Sequence, residues 1–321
     1  MIPTRLEETN QQYAIKAKTV CSQAAQAYGH TSPYTVPPLT VVEHLIGRKP
    51  TIARNTWKQY KNALRYHFQS QLAETPEKVL AEELQAAISM LDSTSSDGTL
   101  KFGTQTSARK QKGFKKADYD KLLTYLAEHV GKHRHARALM TWLKATHLAG
   151  LRPSEWEYAS LGERQGKRVL IVQNAKATNG RGHGEDRSLD IEDLSPDELQ
   201  AIEDMVEMLE GYRAEIDFAT LQIRIGDYMK YATRQCFGKR QKYPSLYSLR
   251  HQFSANAKFS GSTKKELAAM MGHGSDATAG THYARKASGD SAVKVAPLDA
   301  EVKRVRAKAK TFTPRPKQPT G

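Results

Sequence analysis

Cysteine is scarce in this chain. Two occur in 321 residues, Cys21 and Cys236, far apart and in no CxxC pair. A zinc framework is therefore not indicated, and the sparing use fits a reducing cytoplasm. Long apolar runs are lacking as well. The opening Met1-Ile2-Pro3-Thr4-Arg5-Leu6-Glu7-Glu8 has no hydrophobic signal core, and no later stretch approaches membrane-spanning length. Neither export nor membrane anchoring is expected. No segment repeats another. Acids are in deficit: 34 Asp and Glu face 49 Lys and Arg, for a formal net charge of +15.

What is present is unevenly spread. Residues 101–150 hold 11 Lys or Arg against 3 acids, and residues 251–321 hold 13 against 5. Such patches attract polyanions and make binding salt-dependent, although a basic balance also serves solubility. The length exceeds what one core usually serves, so two domains are expected.

The first hundred residues read as helical. Trp57, Tyr60, Leu64 and Phe68 recur at helical spacing over residues 51–71, with Arg54, Lys58, Lys61 and Arg65 between them. The aromatic stripe reads as core and the basic residues as an exposed face that would meet DNA. Thr75-Pro76-Glu77 predicts an N-cap and first turn, opening a helix whose apolar face is Val79, Leu80, Leu84, Ile88 and Leu91. This helical domain is placed at residues 1–95. Residues 96–116 read as a linker that becomes strongly basic at Arg109, Lys110, Lys112, Lys115 and Lys116. It is either a solvated tether or a strap along a phosphate backbone.

A second domain is placed at residues 117–288. Tyr119, Leu122, Leu126 and Val130 mark its first helix, and another carries Leu143 to His147 and stops at Gly150. Residues 168–172 and 187–191 predict two strands joined as a hairpin by the Gly- and Asn-rich residues 174–184. Ser195-Pro196-Asp197-Glu198 and Thr263 to Glu266 are capping boxes. The expected fold is mainly α with a small β-sheet or hairpin (α+β). Residues 289–321 read as a basic tail. Val293, Val295, Leu298, Val302 and Val305 suggest a helix docking on a neighbouring protomer, followed by disorder from Thr311.

Reactive side chains stand in distinctive contexts. Arg152 lies in Gly150-Leu151-Arg152-Pro153-Ser154-Glu155, at a predicted helix junction with Glu155 one turn on. Arg250 lies in Tyr247-Ser248-Leu249-Arg250-His251-Gln252-Phe253. His273 follows Met271-Gly272, and Tyr283 follows Thr281-His282. Arginine's planar fork suits bidentate phosphate binding, a histidine adds a donor, and a tyrosine hydroxyl can attack phosphorus. Each motif alone is weak: an Arg–Glu surface pair is ordinary, a lone Tyr is usually structural, and His251 reads as packing or capping. His129, His133 and His135 have no carboxylate or cysteine to complete a metal site and read as a solvated basic face.

Together, in this order, the four motifs resemble the tyrosine recombinase (phage integrase) family. The resemblance covers residues 113–286 and extends more weakly to residues 51–71, which look like the family's core-binding domain. It implies that Arg152, Arg250 and His273 contact the scissile phosphate, with Glu155 in support and Tyr283 as nucleophile. It implies that Lys176, in the hairpin, protonates the departing sugar hydroxyl. Double-stranded DNA is the implied partner, clamped between two domains by four protomers on two sites. Accessory DNA-bending or directionality factors are further candidate partners. The phosphotyrosine link preserves bond energy, so no cofactor and no metal is expected, and a cytoplasmic, nucleoid-associated location follows. Two positions depart from the family pattern. Tyr247 stands where a histidine is usual, and Tyr283 lies one residue later than usual, behind His282. A type IB topoisomerase-like relaxase, or a catalytically impaired DNA-binding protein of the same fold, are the alternatives.

Overall fold

The computed structural model of the chain describes residues 7–100, 111–175, 183–276 and 286–307. Two compact units divide it, residues 1–108 and 109–321. No helix among the described residues is long and apolar enough to cross a membrane.

The first unit is built on helices α1 (Glu7–Tyr28), α2 (Pro38–Gly47), α3 (Arg54–Glu74) and α4 (Lys78–Ser93). Its core joins Trp57, Leu64 and Phe68 of α3 to Val20 and Ala24 of α1 and to Leu84 and Leu91 of α4. Full burial of each large side chain is worth roughly 1.5–3 kcal/mol, which is why the aromatic spacing fixes the inward face of α3. The start of α4 differs from the sequence expectation. Thr75 closes α3, its N–H donating to the Gln71 carbonyl at 2.9 Å. Glu77 is the N-cap, so Pro76 precedes the helix. Val79 then falls on the outer face, 71% exposed.

The second unit begins with α5 (Lys116–Ala127) and α6 (Ala136–Ala149), then a 3-10 turn at Pro153–Trp156. Strands β1 (Ser160–Arg164), β2 (Lys167–Gln173) and β3 (Asp186–Asp190) follow. Next come α7 (Pro196–Arg213), α8 (Phe218–Phe237), α9 (Leu246–Phe259) and α10 (Lys264–Met270). Strand β4 (Ala296–Pro297) and α11 (Asp299–Arg304) complete it. The sheet runs β1-β2-β3-β4, each neighbour antiparallel. The fold is therefore mainly helical with one small sheet, and β1 and β4 flank the expected hairpin.

Local chemistry sets the boundaries that matter for the site. Ser195 and Glu198 close a reciprocal cap at the start of α7, and Thr263 and Glu266 do the same for α10. Each such cap is worth about 1 kcal/mol. Helix α6 ends at Gly150, which has φ +66° and donates to the Thr146 carbonyl at 2.9 Å. A Cβ there would lie 2.3 Å from the Phe253 ring of α9. Left-handed strain and overpacking together predict that Gly150→Ala costs about 2–4 kcal/mol. Urea unfolding checks this, and an unchanged midpoint would mean the α6–α9 approach is looser than described.

Two boundary expectations are corrected. Residues 111–116 are already folded onto the second unit rather than forming a tether. Gln111 N–H donates to the Tyr243 carbonyl at 3.1 Å, and the fully buried Phe114 donates to Gln252 Oε1 at 3.0 Å. Residues 290–307 are not a free tail either. Ala296 and Pro297 pair with Asp190 and Leu189, while Val295, Leu298 and Val305 are buried within their own unit. Their apolar spacing is thus satisfied in the same chain, which removes the reason for docking on a neighbour. His183 Nε2 lies 2.8 Å from Glu301 Oε2, both buried, and fastens α11 beside the base of the hairpin. The tail from Thr311 lies outside the described residues.

Candidate active site

Glu155 is the hub of a buried charged cluster. Trp156 Nε1 donates to Thr146 Oγ1 at 2.9 Å, seating the 3-10 turn against α6 and carrying Glu155 inward. The Glu155 carboxylate accepts from the Arg152 backbone N–H at 2.8 Å and from the Arg152 guanidinium. It also accepts from Arg250 Nη1 at 3.2 Å and Arg187 Nη2 at 2.8 Å. Arg250 sits in the second turn of α9, a helix with Leu249 and Phe253 in the core, and is itself fully buried. It donates further to the Gly150 carbonyl at 2.9 Å and the Met271 carbonyl at 2.5 Å. Its Nη2 lies 3.5 Å from His273 Nε2. Arg152 and Arg250 are thus brought together with His273 and Glu155.

Three guanidinium groups share one carboxylate. Buried charge is costly unless matched, and Glu155 supplies matching charge to all three. Arg152 and His273 keep 8% and 5% exposure, and Arg250 none. An anion reaching the cluster would arrive past Arg152 and His273. Among the described residues no group of His, Cys, Asp or Glu could hold a metal ion.

Arg187, which in the sequence stands only as a cation bordering the hairpin with Lys176 and Arg181, joins the cluster as a residue not expected there. It is fully buried on β3, donating to Glu155, to the Met270 carbonyl at 2.8 Å and to Asn174 Oδ1 at 2.5 Å. A signal existed. Arg187 stands in period-two alternation with Leu189 on β3, and both are buried.

The electrostatics follow from burial. Burial pushes the Glu155 carboxyl upward, but Arg187, Arg250 and Arg152 overcome it and hold it well below the usual carboxylate range. Burial, then Arg250, Arg152 and Arg187, lower the His273 imidazole to about 2. Both groups bind fewer protons folded than unfolded. The His273 contribution is therefore complete above the ordinary histidine value of about 6.5 and is lost as pH falls below it, while the Glu155 contribution is lost only below the ordinary carboxylate value of about 4.3, each by up to about 1.4 kcal/mol per pH unit. Urea midpoints should be lower at pH 5 than at pH 7, and equal midpoints would contradict the buried, neutral His273.

Other predicted residues fall as follows. Tyr247, 37% exposed, sets its ring edge-on to His251 at 5.4 Å. His251 is lowered to about 4 by burial, then Lys112 and Arg250. Lys61 Nζ donates to the Thr94 carbonyl at 3.0 Å, and Arg65 pairs with Asp92 at 3.3 Å, so both are occupied at the end of α4. Arg54, Lys58, Lys112, Lys115 and Lys116 are exposed, and Lys116 also pairs with Asp120 at 2.8 Å. Lys176, Tyr283, Arg109 and Lys110 lie outside the described residues. The solvated histidine face is corrected. His133 stacks on Tyr228 at 3.7 Å, His129 on Tyr125 at 4.0 Å, and His135 is buried, because adjacent tyrosine rings offer apolar cover.

The chain shares its fold with a lambda integrase of solved structure. The structure is similar to that of a lambda integrase dimer bound to a COC' core site, at 14% identity over 88% of this chain and 73% of that one, with a TM-score of 0.53. It is also similar to the XerH site-specific recombinase bound to difH substrate in a pre-cleavage complex, at 14% identity over 86% and 76%, with a TM-score of 0.49. No protein-family model and no curated protein sequence matches the chain.

Proposed function

We propose that this chain is a site-specific DNA recombinase of the integrase type, serving a phage or other mobile element. It cuts and rejoins DNA through a 3′-phosphotyrosyl intermediate. The observation that carries the reading is the convergence of Arg152 and Arg250 on Glu155, with His273 3.5 Å from Arg250. Arginine donors fixed in a dry pocket stabilise the charge that a five-coordinate phosphorus develops. Tyr283 is the nucleophile. A free tyrosine titrates near 10 and must be activated locally. Lys176 protonates the leaving sugar oxygen. Rejoining reverses the same bond exchange and needs neither ATP nor a metal.

Residues 1–95 act as the core-binding domain and the second unit as the catalytic domain. Four protomers assemble on two DNA sites in the nucleoid, with accessory bending or directionality factors where the sites demand them. Exposed lysines before and within α5 would meet the phosphate backbone. Replacing Lys110, Lys112, Lys115 and Lys116 by alanine should flatten the salt dependence of DNA binding by about 0.9 in log–log slope for each phosphate no longer neutralised. An unchanged slope, measured by anisotropy across a salt series, would remove this segment from the interface.

Nicked suicide duplexes carrying the cognate site test the function. An adduct that survives denaturant is expected. Relaxation of any supercoiled plasmid would favour a type IB topoisomerase-like activity instead. Tyr247 in place of a histidine favours a second reading, a DNA-binding protein with impaired chemistry, because tyrosine is a poor acid or base near neutral pH. Binding without an adduct would support it.

A further inference from the structure

We propose that Arg187 is a positioning residue that sets Glu155, and through it Arg250, against the turn that presents His273. Its effect on rate rests on the strand-transfer reading, whereas its structural half stands on geometry alone. Arg187 is fully buried and sits behind the arginines that would meet phosphate. Its guanidinium nitrogens reach three separate pieces of the unit. Nη2 holds Glu155 at 2.8 Å, Nε holds the Met270 carbonyl at the end of α10 at 2.8 Å, and Nη1 holds Asn174 Oδ1 at 2.5 Å. Asn174 is itself fixed: its backbone N–H donates to the Glu185 carbonyl at 2.8 Å and its Nδ2 to the Gly184 carbonyl at 3.1 Å.

The turn before His273 is fitted onto this pair. Gly272 has φ +61°, and a Cβ there would lie 2.4 Å from Asn174 Oδ1 and 2.8 Å from Arg187 Nη1. His273 N–H then closes back on the Ala268 carbonyl at 2.8 Å. One planar guanidinium therefore fixes the β2–β3 pair, the α10–His273 turn and the Glu155 hub at once. A hydrophobe of similar length would fill the space at a cost in stability, because Glu155, the Met270 carbonyl and Asn174 Oδ1 each lose a donor. It would not fix three directions, and neither would lysine, whose ammonium lacks the rigid fork.

The test uses Arg187→Lys and Arg187→Met in the full chain. In DNA-free protein, amide exchange at Asn174 and His273 should quicken about tenfold more than at core amides of α6 and α7. A uniform change across all of them would mean a merely global structural role and would overturn the proposal. On suicide duplexes, DNA affinity should be unchanged while the single-turnover cleavage rate, corrected for folded fraction, falls about 100-fold, as expected of sub-ångström misplacement. Wild-type cleavage by Arg187→Lys would also overturn it. If the unaltered protein forms no adduct on any substrate, the strand-transfer reading fails. The exchange measurement then still decides the positioning role, selective quickening supporting it and uniform change overturning it.

Discussion

Replacing Glu155 by alanine is expected to cost about 3–5 kcal/mol of stability at pH 7, the range for removing one partner from a buried ion cluster. The reason is local. Arg152, Arg187 and Arg250 all donate to that one carboxylate, which has no side-chain exposure. Without it, three guanidinium groups lose the carboxylate they share, while Arg187 and Arg250 keep the neutral Met270, Gly150 and Met271 carbonyls as acceptors. Repulsion then acts in a dry setting where it is weakly screened. Glu155→Gln keeps the shape and the acceptor oxygen, so its loss should be smaller. Urea unfolding of both variants checks the order. A loss below about 1 kcal/mol for Glu155→Ala would place it among ordinary surface substitutions and would mean the cluster is not held together through this carboxylate.

The same cluster shows what a single sequence can and cannot reveal. The Gly150 stop, the caps at Ser195 and Thr263 and the aromatic stripe of α3 are local events, decided within a few residues, and they read directly. Helix α8 was equally legible, since Leu221, Ile225, Tyr228, Met229, Ala232 and Cys236 keep helical period, yet no reactive motif draws attention to it. Strand β1 was not legible: Ser160–Arg164 is polar, never fully buried and held by its pairing with β2. Strand β4 is two residues long, one of them proline, and exists because β3 offers an edge. Arg187 lies between these cases. Its inward register is readable, but its partners Glu155, Asn174 and Met270 are far off in sequence and only folding brings them together. Lys61 and Arg65 show the reverse error, because a basic helical face that suggests DNA is partly taken up by the end of α4.

Tyr283→Phe is expected to abolish covalent attachment to DNA outright while leaving DNA binding intact. Under the proposed mechanism, phenylalanine keeps the ring and removes the hydroxyl that forms the phosphodiester, so the expected loss is of chemistry. The same proposal separates Tyr283 from Arg152, Arg250 and His273, whose loss is expected to slow the step by weakening transition-state stabilisation, typically by about 100- to 1000-fold for one donor. Tyr247→Phe supplies the contrast: it removes a hydroxyl one turn from Arg250 and should leave the adduct in place.

The most direct measurement is the identity of the linked residue. The protein is incubated with a nicked suicide duplex bearing its cognate site, digested with trypsin and nuclease, and the DNA-bearing peptide is sequenced by mass spectrometry. The account predicts a nucleotide on the Tyr283 oxygen and no adduct from Tyr283→Phe. An adduct on another residue, an adduct that persists in Tyr283→Phe, or none at all on the cognate site would contradict it.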